Sequence, residues 1–296
     1  MNNKFFYRIS QLIGFLLGAR FFVALLLTFA LYVSTFFLFN KEESLRNFVF
    51  DFRVHGIIFC TVLSILAGGI INQFYDREKD EVTKPLRTRI QNFLKQRYFL
   101  YAYIGLNLIS LTIAVLISPR VFFFFLVYQF IIWFYSHKLS KMLITNNLSF
   151  VTLTLYPFFG MLVYYRTLSL VVFLMALFLF LILLIIDITK DILTKNADKI
   201  FGYSTIASIW GIKISQIIIM AISLLLMMVS LFIVSADGLH GVLNFYFILG
   251  LFVFVSVVIL IFSKVKKRYF FALNILRLWL FVGILAMLLD GILERF

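Results

Sequence analysis

Long apolar stretches, separated by short polar segments, dominate this chain. Nine of them run at roughly 12–38, 55–74, 98–118, 120–135, 148–165, 168–187, 210–235, 242–263 and 269–290. Most approach the ~20 apolar residues that a helix needs to cross a bilayer's hydrocarbon core. None alternates with the period of two that a lipid-facing barrel strand requires. A chain in lipid must satisfy its own backbone polar groups, and a helix does so within each segment. The pattern therefore predicts an all-α fold, a polytopic membrane helical bundle of about nine transmembrane helices. The stretches at 120–135 and 148–165 are short, which leaves eight crossings and one re-entrant segment as the alternative. The polar breaks at about 39–54, 75–97 and 188–209 are too short for a separate globular domain, so residues 1–296 read as a single transmembrane domain. The first stretch is too long for a cleavable signal peptide, and no small-residue cleavage site follows it.

Composition agrees with the pattern. The chain is 63% hydrophobic and only 14% charged, with a mean hydropathy of +1.06, against about 25% charged in an average soluble domain. The net charge of +14 is spread over loops without a basic module, so it reports topology and contact with anionic lipid and excludes nucleic acid as a partner. With the N-terminus cytoplasmic, the inside segments hold 18 Lys and Arg, from Lys4 and Arg8 to Arg268. The outside segments hold six: Lys41, Arg46, Arg53, Arg120, Arg166 and Arg295. That asymmetry sets the orientation, in the inner or cytoplasmic membrane if the cell is bacterial. Cys60 is the single cysteine, so no intramolecular disulfide forms. His55, His137 and His240 lack metal-ligand spacing and read as interfacial residues.

Of the 13 acidic residues, seven fall in two places: Asp76, Glu78, Asp80 and Glu81, then Asp187, Asp191 and Asp198. Asn72, Asp76 and Asp80 are spaced i, i+4, i+8 and share one helix face. Asp187, Asp191 and Asp198 do the same if their helix runs on past the apolar stretch. Carboxylates stacked on one face repel each other and favour a bound cation. Hard oxygen donors without His or Cys suit Mg²⁺, which binds through one or two carboxylates plus substrate phosphates. Two such faces predict a magnesium-bridged diphosphate at the cytoplasmic side. Lys84 and Arg87, flanking Pro85, are natural partners for diphosphate oxygens, and Pro85 predicts a helix boundary. An apolar helix, an acid cluster and a basic loop occur near 72–97 and again near 187–213.

These residues carry a family resemblance. Asn72-xxx-Asp76-xxx-Asp80, followed by Lys84-Pro85-Leu86-Arg87, resembles the first aspartate motif of the UbiA superfamily of intramembrane prenyltransferases. Lys190-Asp191 through Asp198, Gly202, Thr205 and Gly211 is similar to the family's second motif. Tyr135-Ser136-xx-Leu139 with Lys138, followed by Asn147, is similar to a third, and Arg20 sits where many members carry an arginine. The resemblance spans about residues 15–215. It implies Mg²⁺-dependent transfer of a polyprenyl group from an allylic prenyl diphosphate to an acceptor. Asp76, Asp80, Asp191 and Asp198 are then catalytic. The metal set is Asn72, Asp76, Asp80, Asp187, Asp191 and Asp198. The substrate contacts are Arg20, Asn72, Lys84, Arg87, Tyr135, Lys138 and Lys190.

The chain departs from the family pattern at Gln73, where an Asp is usual, and at Thr194 and Ala197, where Asp and Gly are common; Ala207 replaces a Pro. Asp187 and Asp191 are expected to take over from the missing acid at Thr194. The pattern around Asp187 and Lys84 looks most like branches that prenylate a glycerol-phosphate-type lipid. An aromatic quinone precursor is the alternative acceptor, and a non-catalytic lipid-binding relative is the alternative role. A cation-coupled transporter would place its acids near the bilayer midplane, whereas these sit at helix ends. Oligomeric state is not encoded in any feature of the sequence.

Overall fold

A computed structural model describes residues 2–40, 44–236 and 241–295. Lys41 and His240 therefore lie outside the described residues, and so do the side chains of Lys4 and Arg295. Fourteen α-helices follow in chain order: α1 (Asn2–Gly18), α2 (Phe21–Ser34), α3 (Leu45–Val49), α4 (Phe52–Tyr75), α5 (Arg77–Thr83), α6 (Pro85–Gln91), α7 (Gln96–Ile117), α8 (Pro119–His137), α9 (Thr145–Tyr165), α10 (Leu170–Ile200), α11 (Ile206–Ile209), α12 (Ile212–Ser235), α13 (Val242–Phe262) and α14 (Arg268–Arg295). Among the described residues, nine helical segments are long and apolar enough to cross a membrane. The short stretches near 120–135 and 148–165 are among them, as α8 and α9. Apolar side chains such as Phe22, Leu116, Val163 and Phe252 are more than two-thirds exposed, as the lipid-facing surface of an integral membrane protein requires. The chain divides into two compact units, Met1–Tyr32 with Glu42–Ser140 and Val33–Lys41 with Lys141–Phe296.

The first unit is built on α4, whose apolar window is 61% buried, against 11% for α7 packed beside it. Asp51 starts α4 by accepting from the Arg53 and Val54 amides. Ser118 starts α8 in the same way, with Pro119 in its first turn. In place of an oily seam, α4, α7 and α8 share a small polar ladder. The Cys60 thiol donates to the Ser110 carbonyl, the Ser110 hydroxyl donates to the Cys60 carbonyl, and Gln129 donates to Ser64. Small polar residues of this kind let membrane helices approach closely and pair.

The stretch predicted as one helix over 12–38 is two. The helix breaks at Ala19–Arg20, where Arg20 takes a left-handed φ of 53°, and its first part belongs to α1. The Ala19 carbonyl lies 2.6 Å from where a Cβ on Gly69 of α4 would sit. Only glycine tolerates that approach, and the contact fixes the break against α4.

The second unit is built on α10, packed against α9, α12 and α14. Its core holds Phe178, Ile185, Leu226, Phe254 and Leu276. Tyr246 stacks on Trp279 with ring centroids 4.6 Å apart. Asp290 of α14 accepts from the Val242 and Leu243 amides and so caps α13 from a neighbouring helix. Ser169 opens α10, and a Thr205–Ser208 capping box opens α11.

Candidate active site

In the first unit the acid face straddles a helix junction. Asn72 lies in the last turn of α4, and Asp76 is both the last cap of α4 and the first of α5. Because the Asp80 amide donates to the Asp76 carbonyl at 2.8 Å, the junction stays near-helical and keeps the i, i+4, i+8 stack. The Asn72 amide donates to Asp76 in a short hydrogen bond. Asp80 is 4% exposed and accepts from the Lys84 ammonium at 2.7 Å. Pro85 does mark a boundary, as the first residue of α6.

Arg87 reaches from α6 to the Leu17 carbonyl at the end of α1, and its Nε is buried with no hydrogen-bond partner. Burial pulls the Arg87 guanidinium below its ordinary value; neighbouring Arg20 acts in the same sense and Asp80 opposes both. The guanidinium nevertheless stays a cation at neutral pH. A half-buried guanidinium with an open Nε donor beside a second arginine is suited to an anionic oxygen. Tyr135 is buried on α8, and Lys138 is exposed at that helix's end. His137 stacks on Trp133 and meets Tyr75 edge-on, an aromatic packing role at the helix end.

In the second unit the helix does run on: α10 carries Asp187, Asp191 and Asp198 without a break. They are 1%, 3% and 0% exposed. The Asn147 amide of α9 donates to both Asp187 and Asp191, at 2.8 Å each. The two carboxylate oxygens therefore lie within two hydrogen-bond lengths of each other. Lys190 pairs with Asp187 at 3.0 Å and also lies over the Phe150 ring. Asp198 is held differently. It accepts from the Thr194 hydroxyl at 2.9 Å and from Thr205, the first cap of α11, at 3.5 Å. The structure thus groups Asp187 with Asp191 around Asn147, and ties Asp198 to Thr194 and Thr205.

The donor chemistry fits Mg²⁺. Each face supplies carboxylate and amide oxygens with no sulfur or imidazole, and the Asn147 Oδ1 is buried without a hydrogen-bond partner. Among the described residues no three His, Cys, Asp or Glu side chains close around a cation. Each face offers one or two carboxylates, and the remaining coordination belongs to phosphate and water, as is usual for this ion. Sequence reasoning gave Asn147 no role in positioning the acids. Its only signal was its place just after the third motif, because the carboxylates it bridges are 40 and 44 residues away.

Comparison with known proteins bears on the same residues. The family model described as the UbiA prenyltransferase family matches residues 44–283. A digeranylgeranylglyceryl phosphate synthase from Thermococcus sibiricus is 32% identical over 170 residues, which span 57% of this chain and 60% of that relative. A protein of the same name from Korarchaeum cryptofilum is 25% identical over 252 residues, 82% of this chain and 87% of the relative. Among solved structures, a UbiA homologue from Archaeoglobus fulgidus bound to DMAPP and Mg²⁺ superposes with a TM-score of 0.66. The alignment covers 93% of this chain and 99% of that one at 15% identity, a likeness of fold.

Proposed function

The chain belongs to the UbiA prenyltransferase family, and on that footing we propose that it transfers a prenyl group from an allylic prenyl diphosphate to a lipid acceptor of the glycerol-phosphate type. One observation carries the reading. Two carboxylate faces, one with Asp80 buried and Asp76 half-buried, the other with Asp187, Asp191 and Asp198 all buried, each have a lysine paired one turn away, Lys84 on Asp80 and Lys190 on Asp187. Each face carries more carboxylates than the one lysine paired to it cancels, and such charge is retained where a cation is to be bound.

Mg²⁺, when bound, neutralises the diphosphate and makes it a better leaving group. Asn72, Asp76 and Asp80 of the first unit would hold Mg²⁺, and so would Asp187, Asp191 and Asp198 of the second. Asn147 holds the second pair of carboxylates at fixed spacing, so they need not reorganise when the charge arrives. Arg20, Lys84, Arg87 and Lys190 take the diphosphate oxygens and hold the leaving group as the allylic C–O bond breaks. Tyr135 and Lys138 contact substrate at the end of α8. The burial of Asn72, Asp80, Asp187 and Asp191 keeps bulk water from the allylic carbon, where it would compete with the acceptor hydroxyl. The reaction runs on the cytoplasmic face of the membrane, a reading supported by the distribution of Lys and Arg along the chain. The glycerol-phosphate acceptor is supported by the names of the relatives and by the Asp187–Lys190–Asp191 pattern.

The test is incubation of the purified chain with Mg²⁺, a series of labelled prenyl diphosphates and candidate acceptors, with the product identified by mass. An alkylated glycerol-phosphate lipid plus free diphosphate is expected. An alkylated aromatic ring would replace the acceptor assignment, and no product from any pair would remove the enzymatic reading.

A further inference from the structure

A cavity of about 330 Å³ lies within the first unit, between the end of α4, α6 and the start of α7, at the small end of the range for ligand sites. Two amides open into it. Gln91 is 3% exposed and its Nε2 has no hydrogen-bond partner, and the Gln73 Oε1 is likewise buried and unpartnered. Buried polar atoms without a partner are uncommon in native proteins, and each calls for a ligand or an ordered water. Here one is a donor and the other an acceptor. Two cations, Arg77 and the exposed Lys95, stand on the same lining, and Asp80 closes one edge. Arg77 is held loosely, at 3.5 Å each from Glu81 and Asn92. Ile70, Phe74 and Phe99 supply an apolar wall.

Gln73 is the residue that stands in place of the family's usual aspartate. It does not share the face of Asn72, Asp76 and Asp80; one position along the helix turns it about 100° away, into this cavity. Gly18 of α1 makes the room, because a Cβ there would collide with the Gln73 carbonyl oxygen and the Phe99 ring. Lys84 and Arg87, the cations assigned to the diphosphate, are not on the lining.

We infer that this cavity binds the headgroup of a glycerophosphate lipid. The phosphate oxygens meet Gln91, Arg77 and Lys95, a free hydroxyl donates to Gln73, and the first carbons of the chain lie along Ile70, Phe74 and Phe99. A charge-assisted phosphate contact paired with a hydroxyl donor satisfies both orphaned amides at once, which an apolar chain does not, and the wall of Ile70, Phe74 and Phe99 takes the carbons that inorganic phosphate lacks. The same headgroup chemistry is found in the acceptor and in bilayer lipids.

The experiment measures binding to the purified full chain in detergent, by native mass spectrometry, with phosphatidylglycerol and phosphatidylcholine as probes and glycerol 1-phosphate as competitor. The expected result is at least a tenfold preference for phosphatidylglycerol, competed by glycerol 1-phosphate. Gln91→Met and Lys95→Met should each reduce that preference about tenfold. Lys95 is exposed, so Lys95→Met keeps the fold even if Gln91→Met lowers the thermal midpoint. Equal binding of the two lipids, or an unchanged preference in both variants, overturns the inference. Turnover distinguishes the sources. A tenfold rise in acceptor KM in the variants, with the prenyl diphosphate KM unchanged, identifies the acceptor as occupant; lost lipid binding with both KM values unchanged identifies a bilayer lipid. The binding arm needs no catalysis, so a chain that failed to transfer prenyl groups would still answer it.

Discussion

In the first unit the carboxylates sit at a seam, with Asp76 joining α4 to α5 and the chain turning again at Pro85. In the second they lie inside one uninterrupted helix of 31 residues, held by Asn147 of α9, by Thr205 at the start of α11 and by Thr194 of the same helix. Asp76 is half-buried, whereas Asp187, Asp191 and Asp198 are all buried. The contrast separates two ways of presenting oxygen ligands. A helix junction is held by few hydrogen bonds and adjusts when a ligand arrives. A cross-tied helix interior is set before the ligand comes, at the cost of keeping carboxylates together in a dry place. On the proposed function, the first region would adapt to the diphosphate and the second would serve as its template.

If the adapting region supplies ligands and not packing, Asp76→Ala and Asp80→Ala should each lower prenyl transfer by about a thousandfold, roughly 4 kcal/mol of barrier. Helical content by circular dichroism should stay at the level of the unmodified chain. Activity surviving in both variants, or in EDTA, would remove the metal role from this face. The template region gives a smaller expected loss per carboxylate, because Asp187 remains when Asp191 is changed. Asp191→Asn should cost about a hundredfold, near 2.7 kcal/mol; an unchanged rate would mean that the second-site ligands are misassigned.

Asn147→Leu sharpens the comparison further. It takes the shared donor from Asp187 and Asp191 without touching a ligand, and a buried acceptor left unpaired costs about 1–3 kcal/mol. The thermal midpoint in detergent should fall and the rate should drop about tenfold, about 1.4 kcal/mol. A drop in rate with no change in midpoint would contradict a positioning role for the amide. The smallest effect is expected from Thr194→Asp. At saturating Mg²⁺ its rate should stay within about threefold of the unmodified chain, less than about 0.7 kcal/mol. In EDTA its midpoint should be lower, since a second carboxylate would then face Asp198 where a hydroxyl now donates.

The crossings and both acid faces were legible because they depend on short-range spacing. A run of about 20 apolar residues and an i, i+4 repeat need no knowledge of the rest of the fold. Where the reading failed, a contact between distant residues decided the outcome. The break at Ala19–Arg20 exists because Gly69, 50 residues along, admits the Ala19 carbonyl, and apolarity alone ran straight through it. Asn147 looks like any asparagine near a helix start until α9 packs against α10. Thr194 counts as a lost ligand in the sequence, while in the fold its hydroxyl binds the neighbouring aspartate. Gln73 likewise reads as a damaged motif position, although it lies off the helix face of Asn72, Asp76 and Asp80 and lines a cavity that it shares with Asp80.

The central claim is the proposal that the carboxylates of each region are Mg²⁺ ligands. Titration calorimetry of Mg²⁺ into the purified chain, saturated with an unreactive prenyl thiodiphosphate, tests it without turnover. Asp76→Ala and Asp191→Asn should each weaken Mg²⁺ binding at least tenfold relative to the unmodified chain, about 1.4 kcal/mol. Unchanged Mg²⁺ affinity and stoichiometry in either variant would contradict the account.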